Sequence, residues 1–330
     1  MFQGKKILVI GGTGTIGQGL VKELIKRNPK VVRVFSRDEY KQFKMEQELG
    51  RLDNIRFLLG DIRDKERVRR AMEGIDMVFH LAALKHVPSC EYNPFEAVKT
   101  NVIGTQNVIE SAIHHRVDRV IYTSSDKAIN PTNTMGATKL LAERLMSSAD
   151  YYKGGERPIF AAVRFGNVMG SRGSVIPLFK KQIIENKKIT VTNPNMSRFM
   201  MSITEAVNLV LKASEYAVGG DVFVLKMPVV NLKDLAEVVI EETCKKYDLP
   251  KEEIKIENIG LRPGEKIYEE LMTKEEGERA EELEEMFRIY PISKVELNDK
   301  GINEYSTDSS KVKALTKEEI RNLILKENLI

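Results

Sequence analysis

The strongest constraint on the fold is a glycine-rich turn near the start of the chain, between an apolar run and a helical pattern. Residues 5–10 are mostly apolar and predict a short buried strand, and an amphipathic pattern that ends at Arg27 predicts the next helix. Glycines three residues apart permit a tight turn, so that backbone N–H groups at the helix N-terminus can approach a pyrophosphate. The segment therefore predicts a dinucleotide site that includes Gly11, Thr13, Gly14, Thr15, Ile16 and Gly17.

Apolar runs and helical patterns alternate along the first half of the chain. Strands are predicted at 31–35, 55–59, 77–81, 120–122 and 160–164, and helices at 65–72, 105–114 and 138–148. This alternation predicts an α/β fold, a Rossmann-type doubly wound parallel sheet with a smaller C-terminal α/β substrate domain. We expect residues 1–166 to form the Rossmann domain, with some later segments returning to it, and residues 167–330 to form the smaller domain and a C-terminal helix.

The C-terminal part carries three further local patterns. Residues 273–285 are rich in Lys and Glu and predict a solvated helix on the smaller domain. Residues 305–312 are serine-rich and predict a loop. Thr316 and Glu319 have the spacing of a capping box and predict the start of a terminal helix.

The end of the second predicted strand indicates which dinucleotide is bound. An acidic residue directly at this strand end would accept the ribose hydroxyls of NAD, whereas Ser36 and Arg37 suit the 2′-phosphate of NADP, with Lys41 nearby. NADP is therefore favoured, and Asp38 keeps NAD open as the alternative. Further cofactor contacts are predicted at Asp61, Ile62, Ala82, Ala83, Asn101, Ser124, Lys139 and Phe165.

Residues 124–139 carry the groups best suited to chemistry. A hydroxyl (Ser125), a carboxylate (Asp126) and an ammonium (Lys127) follow a predicted strand, at the edge where open α/β sheets bind ligands. A second ammonium, Lys139, follows on a predicted helix, and Met135 lies four residues before it, where a commoner motif has tyrosine. Adjacent groups of opposite charge fit acid–base chemistry, and a surface ion pair on a loop is the alternative interpretation.

These motifs resemble those of the extended short-chain dehydrogenase/reductase superfamily. Within it, the chain looks like the UDP-N-acetylglucosamine 4,6-dehydratases of capsule, flagellin and glycan biosynthesis. The resemblance runs from Lys5 to about Tyr290 and is carried by residues 11–17, 36–39, 82–88, 125–128, 164–174, 196–199 and 262–266.

The resemblance implies a reaction and a role for each group. A hydride moves from C4 of the sugar to NADP, a base removes the C5 proton, an acid assists loss of the C6 hydroxyl, and the hydride returns to C6. Lys127 would be the C5 base, Asp126 the acid and Lys139 the holder of the nicotinamide ribose. Ser124 or Ser125 would hydrogen-bond near O4. Because a neighbouring carboxylate raises the pKa of a lysine, desolvation and the positive nicotinamide would have to lower it again.

Met135 departs from the pattern of most of the superfamily, in which a tyrosine removes the O4 proton. A thioether has no titratable proton, so this step is left to Lys127, Asp126, Ser125 or an ordered water. Two other functions stay open, a sugar-nucleotide C4-epimerase and a non-catalytic NADP-binding sensor. The Asp126–Lys127 pair argues against the epimerase, because C4 epimerisation needs no acid at C6 and no base at C5. Within the dehydratase interpretation, the motifs favour inversion at C5.

The resemblance also assigns a UDP-sugar site to basic and polar residues that follow the strands. Converging basic groups bind a pyrophosphate, and a carboxylate such as that of Glu265 can accept ribose hydroxyls. The residues assigned to the substrate are Lys85, Asn167, Arg172, Gly173, Ser174, Arg198, Arg262 and Glu265.

Composition excludes several other classes of protein. The 52 Lys and Arg residues are scattered and exceed the 48 Asp and Glu residues by only four, which argues against nucleic acid as a partner. Apolar runs are too short to span a bilayer, and no signal-peptide pattern is present. The two cysteines form no Cys-x-x-Cys, and no histidine has metal-ligand spacing, so we expect no metal. We therefore expect a cytoplasmic enzyme, and the resemblance implies a homo-oligomer, a dimer or a hexamer.

Overall fold

Strands and helices alternate through the first half of the chain, as the sequence predicts. The computed structural model describes residues 1–292 and 307–330. The strands in this part of the chain are β1 (Lys6–Ile10), β2 (Val31–Ser36), β3 (Ile55–Leu59), β4 (Met77–His80), β5 (Arg119–Ser125), β6 (Ile159–Phe165), β7 (Asn167–Val168), β8 (Lys188–Val191), β9 (Ser197–Met201), β10 (Asp221–Leu225), β11 (Val229–Asn231), β12 (Lys255–Asn258), β13 (Ala280–Glu282) and β14 (Met286–Ile289). The helices are α1 (Thr15–Ile25), α2 (Glu39–Leu49), α3 (Lys65–Met72), α4 (Val87–Tyr92), α5 (Pro94–Ala97), α6 (Gly104–His114), α7 (Thr134–Tyr152), α8 (Val175–Asn186), α9 (Ile203–Tyr216), α10 (Leu232–Tyr247), α11 (Lys274–Glu278) and α12 (Lys317–Lys326), with a π-helical turn at Val98–Ile103 and 3-10 turns at Asp126–Ala128 and Lys251–Glu253.

The strand order of the large sheet determines where a ligand site forms. The order is β13-β14-β10-β6-β5-β4-β1-β2-β3. The strands from β3 to β10 along this order pair in parallel, whereas β14 pairs antiparallel with β10 and β13. The chain runs outward from β1 to β3 and then crosses to β4, and such a reversal opens a crevice at the carboxyl ends of the strands. The predicted Rossmann-type α/β sheet is confirmed.

The burial of β1 and α1 follows from their sequences. Ile7, Leu8, Val9 and Ile10 are all at most 1% exposed, as expected for a parallel strand covered on both faces. In α1 one face, which includes Leu20 and Leu24, is buried against the sheet.

A second apolar cluster lies apart from the cluster of the large sheet. Helices α8, α10 and α12 contribute Phe179, Val239 and Ile320 to it, among other residues. Two small sheets, β11-β9-β7 and β12-β8, belong to the same part of the chain. We propose that the boundary between the two domains lies near residue 167, with α9, β10, β13 and β14 as the segments that return to the Rossmann domain.

The Lys/Glu-rich segment 273–285 is not the solvated helix that its composition predicts. Only Lys274–Glu278 is helical, and Ala280–Glu282 is an edge strand of the large sheet. Glu276 is buried, and its two carboxylate oxygens accept hydrogen bonds of 2.7 and 2.8 Å from Arg164 of β6, which compensate the buried charge. The segment therefore packs on the large sheet and not on the smaller domain.

The other two C-terminal patterns behave as predicted where the structure describes them. Residues 307–312 contain no helix or extended strand, and residues 305–306 of the predicted loop lie outside the described residues. The terminal helix begins after Thr316, whose hydroxyl accepts from the backbone N–H of Glu319 while the Glu319 carboxylate accepts from the backbone N–H of Thr316. Among residues 1–292 and 307–330, no helix has the length and apolar content needed to cross a bilayer.

Candidate active site

One cleft of about 1520 Å³ gathers nearly all of the residues that the sequence singles out. It lies along the carboxyl ends of the parallel strands and continues between the large sheet and the later part of the chain. Every predicted catalytic and substrate residue lines it, as does every predicted cofactor residue except Asn101.

The glycine-rich turn is so tight that a side chain does not fit at the position of Gly11 or of Gly17. Gly11 has a φ of +81°, and a Cβ there would lie 2.7 Å from the backbone nitrogen of Ala82. A Cβ on Gly17 would lie 2.4 Å from the carbonyl oxygen of Gly11. Helix α1 has Gly14 as its N-cap, with no capping side chain and no acidic residue in its first turn. Its N-terminus is therefore open to an anion, which fits the pyrophosphate of a dinucleotide.

At the end of β2, the carboxylate that could select NAD is already engaged. Asp38 caps α2 by accepting from the backbone N–H of Lys41 at 3.0 Å, and it also pairs with the Lys41 ammonium. These two contacts lower the pKa of Asp38 below its usual range. The Ser36 hydroxyl contacts Gln42, whereas the exposed Arg37 lines the cleft. The Arg37 guanidinium therefore lies at the cleft beside the end of β2, next to an Asp38 that Lys41 already engages.

Asn101 is not among the residues that line the cleft, and its predicted contact with a cofactor stays a prediction. Its side chain is buried. The amide oxygen accepts from the backbone N–H of Leu84 at 2.8 Å, and the amide nitrogen donates to the carbonyl of Leu84 and to the Thr138 hydroxyl, both at 3.0 Å. Asn101 therefore ties the loop after β4, which contains Ala82 and Ala83, to helix α7.

The catalytic candidates form a buried cluster just past β5. Asp126 is 1% exposed, and its Oδ1 accepts from the Ser125 hydroxyl at 2.8 Å and from the Lys127 ammonium at 3.0 Å. The Lys127 ammonium also donates to Asn167 at 3.3 Å. Burial alone would lower the pKa of Lys127, but the charges of Asp126 and Glu269 raise it above its usual value. The pair is thus a buried cleft feature and not a surface ion pair, and in this state Lys127 is a cation.

Met135 and Lys139 lie on the same face of α7, because they are four residues apart in a helix that begins at Thr134. Met135 is 3% exposed and packs with Cys90 and Ala97 at the cleft wall. Lys139 donates to the carbonyl of Thr123 at 2.6 Å and to the Tyr122 hydroxyl at 3.1 Å. Burial lowers the pKa of Lys139 to about 7.

Four of the predicted substrate residues lie at two different places along the cleft. Lys85 lies 3.5 Å from the Ser171 hydroxyl, and burial lowers the pKa of its ammonium. Gly173 and Ser174 line the same wall, and the Ser174 hydroxyl is buried without a hydrogen-bond partner among the described residues. Arg172, in contrast, lies toward the cofactor end, because its backbone N–H contacts the Thr15 hydroxyl at 3.4 Å and its charge acts on Asp38. Its predicted contact with the uridine diphosphate stays a prediction.

The remaining substrate candidates organise the segment that closes the far side of the cleft. Arg198 donates to the carbonyls of Lys266 and Ile267 at 2.6 and 3.0 Å. The Glu265 carboxylate accepts from the backbone N–H of Arg262 at 3.1 Å, and both residues line the cleft.

Sequence reasoning missed one cleft residue that touches the catalytic pair. Glu269 is 3% exposed, its Oε1 lies 3.5 Å from the Lys127 ammonium, and its Oε2 is buried with no hydrogen-bond partner among the described residues. It follows the predicted motif 262–266 by three residues, but neighbouring Tyr268 and Glu270 give no periodic pattern that separates it from solvated charge.

The fold and the cleft are those of the sugar-nucleotide-modifying short-chain dehydrogenases/reductases, a class that includes epimerases and dehydratases. The chain belongs to the polysaccharide biosynthesis protein family, whose model matches residues 7–291.

Two relatives match almost the whole chain. A protein of Methanocaldococcus jannaschii described as "Uncharacterized membrane protein MJ1061" is 56% identical over 99% of this chain and 96% of its own length. A UDP-glucose 4-epimerase of Rickettsia bellii is 41% identical over 98% of this chain and 96% of its own length.

Solved structures agree with the fold. Pen from Bacillus thuringiensis superposes with a TM-score of 0.95 at 56% identity, over 100% of this chain and 99% of that one. DesIV, a dTDP-glucose 4,6-dehydratase of Streptomyces venezuelae with bound NAD, gives a TM-score of 0.71 at 19% identity, over 79% of this chain and 86% of that one. At that identity the second comparison supports the fold alone.

Proposed function

We propose that the protein is an NADP-dependent UDP-N-acetylglucosamine 4,6-dehydratase. It makes a UDP-2-acetamido-2,6-dideoxy-4-hexulose, with inversion at C5, for surface polysaccharide or protein glycosylation. The observation that carries the proposal is the buried pair of Asp126 and Lys127, 3.0 Å apart in the cleft just past β5. An acid and a base side by side are what removal of water across C5 and C6 requires.

The cofactor has a defined place in this proposal. The open N-terminus of α1 holds the pyrophosphate, and a bound NADP supplies the hydride acceptor at C4 and the hydride donor at C6. Lys139 is fixed by the carbonyl of Thr123 at 2.6 Å, where it can hold the nicotinamide ribose. The Ser124 hydroxyl is buried in the cleft and has no partner in the described residues, so it is free to bind the cofactor or the sugar.

The Ser125–Asp126 contact offers an answer to the missing tyrosine at position 135. The Ser125 hydroxyl donates to Asp126 at 2.8 Å, so it can accept the O4 proton while it passes its own proton to the carboxylate. Asp126 is then protonated, which is the state in which it can protonate the departing C6 hydroxyl. The O4 proton thus leaves as part of the water, and no group at Met135 is needed.

Arginine 37 provides a test of cofactor choice. We expect Arg37→Ala to weaken NADP binding by about 10- to 100-fold, because a charged hydrogen bond to the 2′-phosphate is lost. NAD binding should hardly change. Cofactor titration by calorimetry measures both, with Arg56→Ala as the control, because within the described part of the chain the Arg56 guanidinium donates only to the nearby carbonyls of Asp53 and Ile55. An equal loss for both cofactors would assign Arg37 to loop structure.

The reaction itself is tested by incubating the purified protein with UDP-N-acetylglucosamine in D2O and following the sugar by NMR. We expect a 4-keto-6-deoxy product with deuterium at C5, and the ring couplings of a matched run in H2O give the C5 configuration. A conversion that leaves the C6 oxygen in place, or no conversion of this sugar, would overturn the proposed reaction.

The second candidate is a C4-epimerase acting on a UDP-hexose. The relative in Rickettsia bellii that favours it matches 98% of this chain. The same NMR experiment with UDP-glucose separates the two functions, because an epimerase forms UDP-galactose and takes up no deuterium at C5. The buried acid–base pair has no task in that reaction, which is why we place it second.

A further inference from the structure

We propose that Glu269 is the proton acceptor for Lys127, and that this transfer converts the lysine into the neutral amine that can act as a base. This inference rests on the proposed dehydratase function, in which Lys127 removes the C5 proton. It assigns to Glu269 a role as a positioning residue, since it acts on the substrate through Lys127.

The geometry places Glu269 within reach of the lysine and of little else. Its Oε1 is 3.5 Å from the Lys127 ammonium and 3.9 Å from the Arg198 guanidinium. Its Oε2 is buried and accepts no hydrogen bond from the described residues. The charged groups that act on it are Lys127, Asp126 and Arg198, together with Lys266 from its own segment.

The two carboxylates around Lys127 differ in their contacts. Oδ1 of Asp126 accepts from the Ser125 hydroxyl and from the backbone N–H and ammonium of Lys127. Glu269 has no such set of donors on its side chain. Burial raises the pKa of Glu269, and the charge of Asp126 adds to this effect. Glu269 is therefore a carboxylate that takes up a proton more readily than an exposed glutamate does.

The position of Glu269 is fixed although it lies outside any helix or strand. Its backbone N–H donates to the Ser309 hydroxyl at 2.9 Å, and its carbonyl accepts from the backbone N–H of Ser309 at 2.9 Å. On the other side, Leu271 donates to the carbonyl of Thr307. These contacts hold the carboxylate against Lys127 before any substrate arrives.

The proton count closes over one turnover. An N–H bond of the Lys127 ammonium breaks, an O–H bond forms on Glu269, and the electron pair stays on Nζ. That pair then takes the C5 proton, the C5–H electrons form the C5–C6 double bond, and the C6–O bond breaks with the proton of Asp126. The Lys127–Glu269 pair now holds two protons. When one of these two protons returns to C5, directly or through water, the Lys127–Glu269 pair again holds the one proton with which it began.

The test compares Glu269→Gln, Glu269→Asp and the wild-type enzyme in the dehydration of UDP-N-acetylglucosamine over a range of pH. We expect kcat of Glu269→Gln to depend on pH with little change in KM, staying low while Lys127 is an ammonium, since its proton must then leave to solvent and not to an internal acceptor. The rate should recover as the pH rises, because hydroxide then deprotonates Lys127. Glu269→Asp should retain part of the rate. Glu270→Gln is the matched control, since the new amide oxygen can still accept from Asn130.

Two results would overturn the inference. One is a Glu269→Gln enzyme with wild-type kcat and pH profile. The other is a loss of rate that higher pH does not restore and that comes with a lower Tm or less bound cofactor, which would mark a purely structural role.

A second measurement needs no turnover, and it separates this inference from the proposed function. Acetylation of Lys127 by acetic anhydride, followed by peptide mass spectrometry over a range of pH, reports the protonation of its amine. We expect the midpoint to fall in Glu269→Gln, because the variant lacks the charge that stabilises the ammonium. An unchanged midpoint would show that Glu269 is not the partner of Lys127. If wild-type enzyme makes no 4-keto-6-deoxy product, the proposed function fails, while the labelling result still decides the pairing.

Discussion

Lys127→Ala is expected to lower dehydratase turnover by about 1,000-fold or more while the cofactor stays bound. The Lys127 side chain is 22% exposed, and its ammonium contacts Asp126, Asn167 and Glu269; no other lysine among the described residues contacts Asp126 there. Its loss removes the base for C5, so product formation and deuterium uptake at C5 should fall together. NMR in D2O measures both, and cofactor absorbance of the purified variant measures binding.

The control for this experiment is Lys181→Ala. Lys181 has a side chain that is 68% exposed and pairs, among the residues that the structure describes, only with Glu185 of the same helix α8, so wild-type turnover is expected. Turnover by Lys127→Ala within a few-fold of wild type would refute the assignment of Lys127 as base. If the wild-type protein proves to be a C4-epimerase, the same variant should retain epimerisation, because no proton at C5 moves in that reaction.

The Rossmann half of the fold could be predicted from the sequence because its signals are local. Continuous burial of β1 and the glycine spacing after it are both visible in consecutive residues, and the close approach of Gly17 to Gly11 allows no side chain. The placement of three catalytic candidates side by side in the cleft was predictable for the same reason, since Ser125, Asp126 and Lys127 are adjacent and follow a strand.

The parts that escaped prediction depend on partners far away in the chain. Glu269 and Glu276 are acidic residues in a charged region, and nothing in their neighbours shows that they are buried. Their partners, Lys127 and Arg164, come from 142 and 112 positions earlier in the chain. The contact between the loop of Arg172 and Thr15 also could not be predicted, because the two residues are 157 positions apart.

Arg164→Met is expected to destabilise the protein by about 3 to 5 kcal/mol, because removal of one partner leaves buried charges uncompensated. Arg164 is completely buried at the end of β6. It binds Glu143 of α7 at 2.6 and 3.0 Å and Glu276 of α11 at 2.7 and 2.8 Å. Chemical denaturation measures the loss. Arg157→Met, in which an exposed ion pair with Asp118 is removed, should cost less than about 1 kcal/mol. Equal effects of the two variants would contradict a buried network.

The pH dependence of Glu276→Gln provides an independent prediction for the same network. Burial alone would raise the pKa of Glu276, but the hydrogen bonds and charge of Arg164 lower it from 4.5 to about 2. Because the pKa of Glu276 is lower in the folded than in the unfolded protein, the ionised carboxylate stabilises the fold at pH values above the pKa of the unfolded state. That stabilisation is lost as the pH falls through the pKa of the folded state. Above pH 4.5, the free energy of unfolding of the wild-type protein should therefore exceed that of Glu276→Gln by about 3 kcal/mol. This difference should shrink between pH 4.5 and 2, because protonated Glu276 is as neutral as glutamine. A difference that stays constant over this range would show that Glu276 stabilises the fold by its shape and not by its charge.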